Sequence, residues 1–122
     1  LPLDSAGAGL ARLLDTISAS GQGSFLAVLK RFGAQDSPFS FPMAGYTLAL
    51  DFPSNDRNLS VMNELDRITL DHGGRFYLAK DVHLTAEQCF RADSRMEAFR
   101  AFREARGMRS VFVSEQSKRL GL

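Results

Sequence analysis

The pattern of apolar and polar positions predicts two amphipathic helices in the first half of the chain. Apolar residues recur at helical spacing between Leu3 and Ile17, and Gly21 provides a stop signal. The second helix is predicted to begin at a cap formed by Ser54 or Asn55 and to end at a glycine pair. Its apolar positions recur every third residue, at Leu59, Met62, Leu65 and Ile68.

Two stretches between these helices alternate in hydrophobicity with a period of two, which is typical of β-strands. The first, residues 24–33, places on one face the side chains of Leu26, Val28, Lys30 and Phe32. The second, residues 46–52, points bulky side chains one way, namely Tyr46, Leu48, Leu50 and Phe52, and points Thr47, Ala49 and Asp51 the other way. We expect helices to cover the bulky face, and we predict a third strand over residues 75–80.

The last third of the chain is predicted to be mostly helical. Thr85 with Gln88 and Ser94 with Glu97 match the capping-box pattern, and a short extended piece after Gly107 should lead into a final helical turn. The predicted class is α+β: an antiparallel sheet with helices packed on one face, in an incomplete split βαββαβ (ferredoxin-like) arrangement with a C-terminal helical tail. Residues 1–122 should form one domain.

One strand is missing from that arrangement, and a strand just before Leu1 would complete it. The chain also opens without an initiator methionine, so we expect it to be the C-terminal piece of a longer protein. An exposed sheet edge would then be able to pair with another copy and form a dimer.

Composition narrows the classes of function. The chain has 122 residues, 44% of them hydrophobic, and a net charge of +1, which suit a folded domain and give no basic surface for nucleic acid. Cys89 is the only cysteine, so neither a disulfide framework nor a cysteine-based metal site is expected, and the two histidines lack metal-ligand spacing. We therefore expect no metal and a reducing, cytoplasmic location.

Common catalytic signatures are also missing: the chain has no glycine-rich phosphate loop and no usable Ser-His-Asp order. The candidate polar residues are those that interrupt apolar strands: Lys30, Thr47, Tyr77 and Lys80. A lysine in a site of low dielectric can stabilise developing negative charge. The alternative is that each lysine extends to water and has no such role.

Four segments resemble a known family: "FLAVLKRFG", "FSFPMAGYTLALDFP", "ELDRITLDHGGRFYLAKD" and "VFVSEQSKRLGL". Together they resemble the C-terminal region of FAD-linked oxidases of the vanillyl-alcohol-oxidase superfamily, above all the decaprenylphosphoryl-ribose 2'-oxidase type and the related aldonolactone oxidases. The "GGRFYLAKD" block is the most specific of the four. The resemblance implies a substrate-binding or cap domain whose partner is the FAD-binding domain of the same full-length chain.

The resemblance also implies roles for individual residues. Lys80 would be the catalytic lysine beside flavin and substrate, with Tyr77 as its aromatic neighbour and Ala79 in the same cofactor-facing wall. Lys30 would be a second pocket lysine, and the apolar wall around it would consist of Leu26, Val28 and Phe32. Thr47 and Ala49 stand where the ribose-oxidase type has an amide and a thiol. Because these groups are smaller and less polar, polyprenyl-ribose is in doubt as the substrate of this chain. A substrate like those of the lactone oxidases is the alternative.

One requirement follows from strand geometry. In a continuous strand, Tyr77 and Lys80 would face opposite sides, so the strand must end or bulge at the corner formed by Ala79, Lys80 and Asp81. The function predicted on this basis is oxidation of a sugar-type secondary alcohol or an aldonolactone by hydride transfer to FAD. The isolated chain would be inactive, and membrane association would follow only from a lipid-linked substrate. The alternative is a free-standing ferredoxin-like binding or dimerisation module without catalysis.

Overall fold

The computed structural model describes all of residues 1–122, whose contacts form two compact units. The first unit comprises residues 1–35 and 42–74, and the second comprises residues 36–41 and 75–122. Each unit has its own core of buried apolar side chains. The prediction of one domain over residues 1–122 stays a prediction.

The first unit contains two long helices that pack on a hairpin. Helix α1 spans Leu3–Ser20 and ends at Gly21, whose φ of 64° gives the left-handed conformation that a glycine adopts easily. Helix α2 spans Asp56–Asp71, and the side chain of its N-cap, Asn55, accepts a hydrogen bond from the backbone N–H of Asn58. Both helices were predicted. Their buried apolar faces meet at Leu13, Leu65 and Ile68.

The hairpin pairs strand β1 (Leu26–Phe32) with strand β2 (Gly45–Asp51) in antiparallel register. Leu50, and Phe52 just beyond the strand, pack against the core that the helices form. Helices therefore cover the bulky face of the sheet, as predicted. The α+β class and the antiparallel sheet with helices on one face are confirmed.

The first two residues extend this sheet along the edge of β2 that lies away from β1. The amino group of Leu1 donates to the carbonyl oxygen of Tyr46 at 2.7 Å, and the N–H of Tyr46 donates to the carbonyl oxygen of Leu1 at 2.9 Å. Pro2 forms a bridge with Gly45, where a Cβ atom would lie 2.1 Å from the carbonyl oxygen of Leu1. This close backbone approach requires a glycine at position 45. A further strand ahead of Leu1 stays a prediction.

The second unit is a helical assembly. After a 3-10 turn at Leu78–Lys80 come the helices α3 (Ala86–Ala92), α4 (Met96–Ala105), α5 (Met108–Val111) and α6 (Glu115–Arg119). The core of this unit contains Leu84, Cys89, Met96 and Leu120. Residues 36–41 belong to it as well: the ring of Phe39 stacks on the ring of Phe99 with 4.2 Å between centroids. None of the helices in the chain is long and apolar enough to span a membrane.

The second unit corrects three predictions. The third strand over residues 75–80 is wrong, because the backbone turns at Leu78 and the N–H of Asp81 bonds back to the carbonyl of Leu78 instead of to a neighbouring strand. The second capping box, at Ser94, is wrong because Asp93 accepts the N–H of Arg95 and the helix begins at Met96. The extended piece after Gly107 is wrong at its start, where α5 forms. The capping box at Thr85 is confirmed.

Candidate functional site

All six residues predicted to bind substrate lie on one face of the hairpin. Lys30 pairs directly with Thr47, and Val28 pairs directly with Ala49. Leu26 and Phe32 occupy the same face, because alternate residues of a strand point to the same side and both are an even number of residues from Val28 and Lys30. The grouping predicted from the period of two is therefore observed, and it extends across both strands.

This open face, defined by Leu26, Val28, Lys30, Phe32, Thr47 and Ala49, is opposite the one that the helices of its unit cover. Lys30 and Leu26 are exposed, whereas the other four side chains are partly covered. Directly opposed side chains in an antiparallel pair stand about 5 Å apart at Cβ, so the ammonium-bearing side chain of Lys30 and the hydroxyl group of Thr47 are neighbours. The open face thus combines one polar pair with an apolar surround.

The second candidate site is the 3-10 turn. The N–H of Lys80 donates to the carbonyl oxygen of Tyr77 at 3.0 Å, which closes a three-residue repeat. Tyr77 lies in extended backbone just before the turn and Lys80 is the last residue of the turn, so the two residues are closer along the backbone than they would be in a strand. Both are exposed, Tyr77 to 53%. We expected the extended chain to end at the corner formed by Ala79, Lys80 and Asp81, but the backbone turns over Leu78–Lys80 and begins to do so one residue earlier.

The opposite side of the turn faces the core. Leu78 packs against the buried cluster of the second unit, and the side chain of Asp81 is only 3% exposed. The Asp81 carboxylate accepts hydrogen bonds from Arg119 Nη2 at 2.8 Å and from Gln116 Nε2 at 3.2 Å. It also accepts the backbone N–H groups of His83 and Leu84.

This polar cluster changes the protonation of Asp81. Burial alone would raise the pKa of the carboxyl group, but hydrogen bonds from Arg119, from Gln116 and from two backbone amides favour the charged form. The net result is a pKa below the ordinary value for aspartate. Asp81 is therefore a carboxylate that the fold keeps ionised beneath the turn that carries Lys80.

Sequence reasoning missed Gln116 and Arg119 as parts of this cluster. Their spacing of three along α6 puts them on one side of the helix, but their partners lie 35 to 38 residues earlier in the chain. The contacts of Asp81 with its own loop could have been predicted from the sequence. An aspartate whose side chain accepts the amides two and three residues later forms an Asx-type turn, and Asp81 occupies such a position after a lysine.

Cys89 is a core residue of the second unit. Its side chain is 4% exposed, and burial, with smaller effects from Asp81 and Asp93, raises the pKa of the thiol to about 11. A neighbouring cavity of about 20 Å³, lined by residues that include Phe76, Leu78 and Met96, has room for about one water molecule. This cavity is far too small for a sugar.

The predicted site residues thus form two groups. The open face belongs to the first unit, whereas Tyr77, Ala79 and Lys80 belong to the second unit. Their convergence on one pocket, and the individual roles assigned to them, stay predictions. Nowhere in the chain do three or more His, Cys, Asp or Glu residues gather in a way that could hold a metal ion.

Comparison with known proteins relates the chain to part of an oxidase. No family model matches it. Decaprenylphosphoryl-beta-D-ribose oxidase of Mycolicibacterium smegmatis is 38% identical over 107 residues, which cover 87% of this chain and 23% of that protein. An uncharacterised protein in the mprA 5' region of Streptomyces coelicolor is 34% identical over 116 residues, which cover 93% of this chain and 31% of that protein. The chain therefore spans 23% to 31% of the length of these curated relatives, and 87% of it is similar to a segment of an oxidase.

Proposed function

We propose that this chain is the substrate-binding or cap portion of an FAD-dependent oxidoreductase of the vanillyl-alcohol-oxidase superfamily. Its reaction is the oxidation of a sugar-type secondary alcohol or an aldonolactone. The observation that carries the proposal is the 38% identity to the ribose oxidase over 87% of the chain. The partner is an FAD-binding domain in the same full-length protein.

The geometry of the 3-10 turn supports this proposal. An exposed aromatic ring and an exposed lysine stand at the two ends of a turn whose Leu78 and following Asp81 are anchored in the core. That arrangement fits contact with a planar heteroaromatic cofactor held by another domain. When bound, FAD would accept a hydride from the alcohol carbon, which carries both electrons of the oxidation, while the hydroxyl proton leaves separately. The part assigned to Lys80 is to stabilise the negative charge that accompanies this transfer, because a cation next to the flavin favours its reduced state.

The open face supports the assignment of a substrate class. The pairing of Lys30 with Thr47 offers a cation and a hydroxyl group side by side, which can hydrogen-bond to the hydroxyl or ring oxygens of a sugar. The apolar surround of Leu26, Val28 and Phe32 can cover the carbon faces of the same ligand. Ala49 opposite Val28 leaves that part of the face shallow. Such a surface suits a sugar or lactone with a modest apolar portion.

Anaerobic reduction of the flavin in the full-length protein tests the proposal. Bleaching of the flavin absorbance is followed with a panel of sugar alcohols and aldonolactones, for the wild type and for Lys80→Ala. We expect reduction by at least one member of the panel, and a rate about 10²- to 10³-fold lower in the variant, the usual loss when one group that stabilises developing charge is removed. Lys118→Ala is the matched control, because that exposed lysine pairs only with Glu115 on its own helix.

Two results would contradict the proposal. A full-length protein that binds no flavin would favour the alternative of a binding or dimerisation module without catalysis. Flavin reduction at the wild-type rate in Lys80→Ala would remove the role assigned to that lysine while leaving the oxidase assignment in place.

A further inference from the structure

The side chains beneath the 3-10 turn form a connected lock, which we define as Asp81, Gln116 and Arg119. Asp81 follows Lys80 directly, and its Oδ1 accepts the N–H groups of His83 at 3.0 Å and Leu84 at 2.9 Å. Its Oδ2 accepts Arg119 and Gln116. A carboxylate that is 3% exposed is stable only with such partners, and here four donors satisfy it.

Side chains of helix α6 also donate hydrogen bonds to backbone carbonyl oxygens on both sides of Asp81. Gln116 Nε2 also donates to the carbonyl oxygen of Leu78 at 2.6 Å, at the start of the turn. Arg119 Nη1 donates to the carbonyl oxygen of Leu84, just beyond its end. A single helix therefore holds Leu78 at the start of the turn, Asp81 directly after the turn, and Leu84 in the loop that follows.

The lock controls the direction of the exposed side chains because the turn is too short to hold its own shape. A 3-10 segment of three residues has few internal hydrogen bonds, and their geometry is poorer than in an α-helix. Asp81 follows Lys80 directly, so a shift in the backbone of the turn moves both residues. Tyr77 is linked to the turn by its backbone, because its carbonyl oxygen accepts a hydrogen bond from the N–H of Lys80.

We propose that Asp81, Gln116 and Arg119 are positioning residues, and that α6 is thereby part of the scaffold that aims Lys80 at the reacting partners. This inference rests on the proposed function. It predicts that residues near the end of the chain affect the oxidation step without touching substrate or cofactor.

Gln116→Ala tests the inference in the full-length flavoprotein. The substitution removes the contacts to Leu78 and to the Asp81 carboxylate, but it leaves the ion pair of Asp81 with Arg119 and the buried Leu120 in place. It is made in the wild type and in Lys80→Ala, and flavin reduction is measured at saturating substrate. We expect about a tenfold lower rate in the wild-type background, since small losses of alignment are costly, and less than a twofold change in the Lys80→Ala background.

A second readout is independent of the reaction. Hydrogen exchange of residues 77–84, measured by mass spectrometry, reports the opening of the turn, because the N–H groups of Lys80, Asp81 and Leu84 are all bonded within it. We expect about tenfold faster exchange of this segment in Gln116→Ala. Lys118→Ala, on the same helix, should alter neither readout.

Arg95→Ala is the control for destabilisation alone. It breaks another Asp–Arg pair of the second unit, Asp93 with Arg95. Arg95 also donates to the carbonyl oxygens of Ser37 and Ser40 and lies over the ring of Phe39, and none of these partners is in the turn. A rate loss in Arg95→Ala as large as that in Gln116→Ala would overturn the positioning role. An equal loss from Gln116→Ala in both Lys80 backgrounds, or faster exchange without a loss of rate, would also overturn it. Flavin reduction at the wild-type rate in Lys80→Ala alone would show instead that the role assigned to Lys80 had failed, whereas a full-length protein without bound flavin would show that the proposed function had failed.

Discussion

The open face and the 3-10 turn each carry a lysine, but different forces fix the two positions. Lys30 stands on a strand whose register follows from backbone pairing, and its neighbours follow from the period of two. Lys80 stands on a turn that side chains hold from a helix more than thirty residues later in the sequence. The backbone therefore determines one lysine position, and a polar side-chain cluster determines the other.

This difference predicts different responses to substitution. A position fixed by a ladder of backbone hydrogen bonds should tolerate changes in side chains on its open face, because the ladder is unaffected. A position fixed by a buried carboxylate should fail when any member of the cluster is removed, because the remaining polar groups lose their partners.

The largest effect on stability should come from Asp81→Ala. The substitution leaves Arg119, Gln116 and two backbone N–H groups without their shared acceptor, so the free energy of unfolding should fall by about 2–3 kcal/mol. Urea unfolding measures the change, with Glu115→Ala as an exposed control on α6. A loss below about 0.5 kcal/mol would mean that the cluster does not hold the turn.

Gly45→Ala should cost somewhat less, about 2 kcal/mol, and should act in the first unit. The new methyl group would lie 2.1 Å from the carbonyl oxygen of Leu1, so the backbone pairing of Leu1 and Pro2 with β2 must shift. Gly33→Ala is the matched control, because a Cβ atom there meets nothing within 4 Å. Equal stability of the two variants would show that the first residues are not held on the sheet.

Acid should weaken the second unit before the first. The pKa values of Asp81 and Asp93 both lie below the ordinary value, because Arg119 or Arg95 and backbone amides outweigh the effect of burial. The unfolded chain therefore binds more protons below about pH 4, and stability falls as pH drops, by up to ~1.4 kcal/mol per pH unit for each proton.

The lowered pKa of Glu64 in the first unit comes from an exposed pair with Arg67, which should contribute little. Hydrogen exchange measured against pH distinguishes the two units. Simultaneous opening of both units at every pH would contradict the predicted difference in acid sensitivity between them. Asp81→Asn should reduce the acid sensitivity of the second unit.

The smallest effect on stability should come from Lys30→Met. The side chain is exposed on the open face and the backbone ladder is unchanged, so the free energy of unfolding should change by no more than about 0.5 kcal/mol. Urea unfolding tests this, with Thr47→Val as a second substitution in the same cross-strand pair. A large loss from either variant would mean that this face is buried and structural.

The sequence predicted the parts of the fold whose causes are local. Both long helices, the two strands and the shared face of Lys30, Thr47 and Ala49 follow from periodicity, because each depends on residues close together in the chain. The third strand was wrong because the inward-pointing Phe76 and Leu78 imitate alternation, whereas the turn that forms depends on donors from α6. Periodicity carries no information about contacts of that range.

The buried thiol of Cys89 makes the chain well suited to site-directed labelling. A thiol that is 4% exposed and has a pKa of about 11 stays protonated and covered at neutral pH, so it should not react with maleimides. Because the chain has no other cysteine, spin labels attached to cysteines introduced at positions 30 and 80 would report on those positions alone within it. With any cysteines outside this chain replaced, pulsed electron resonance on the full-length protein would then yield the separation of the two sites directly.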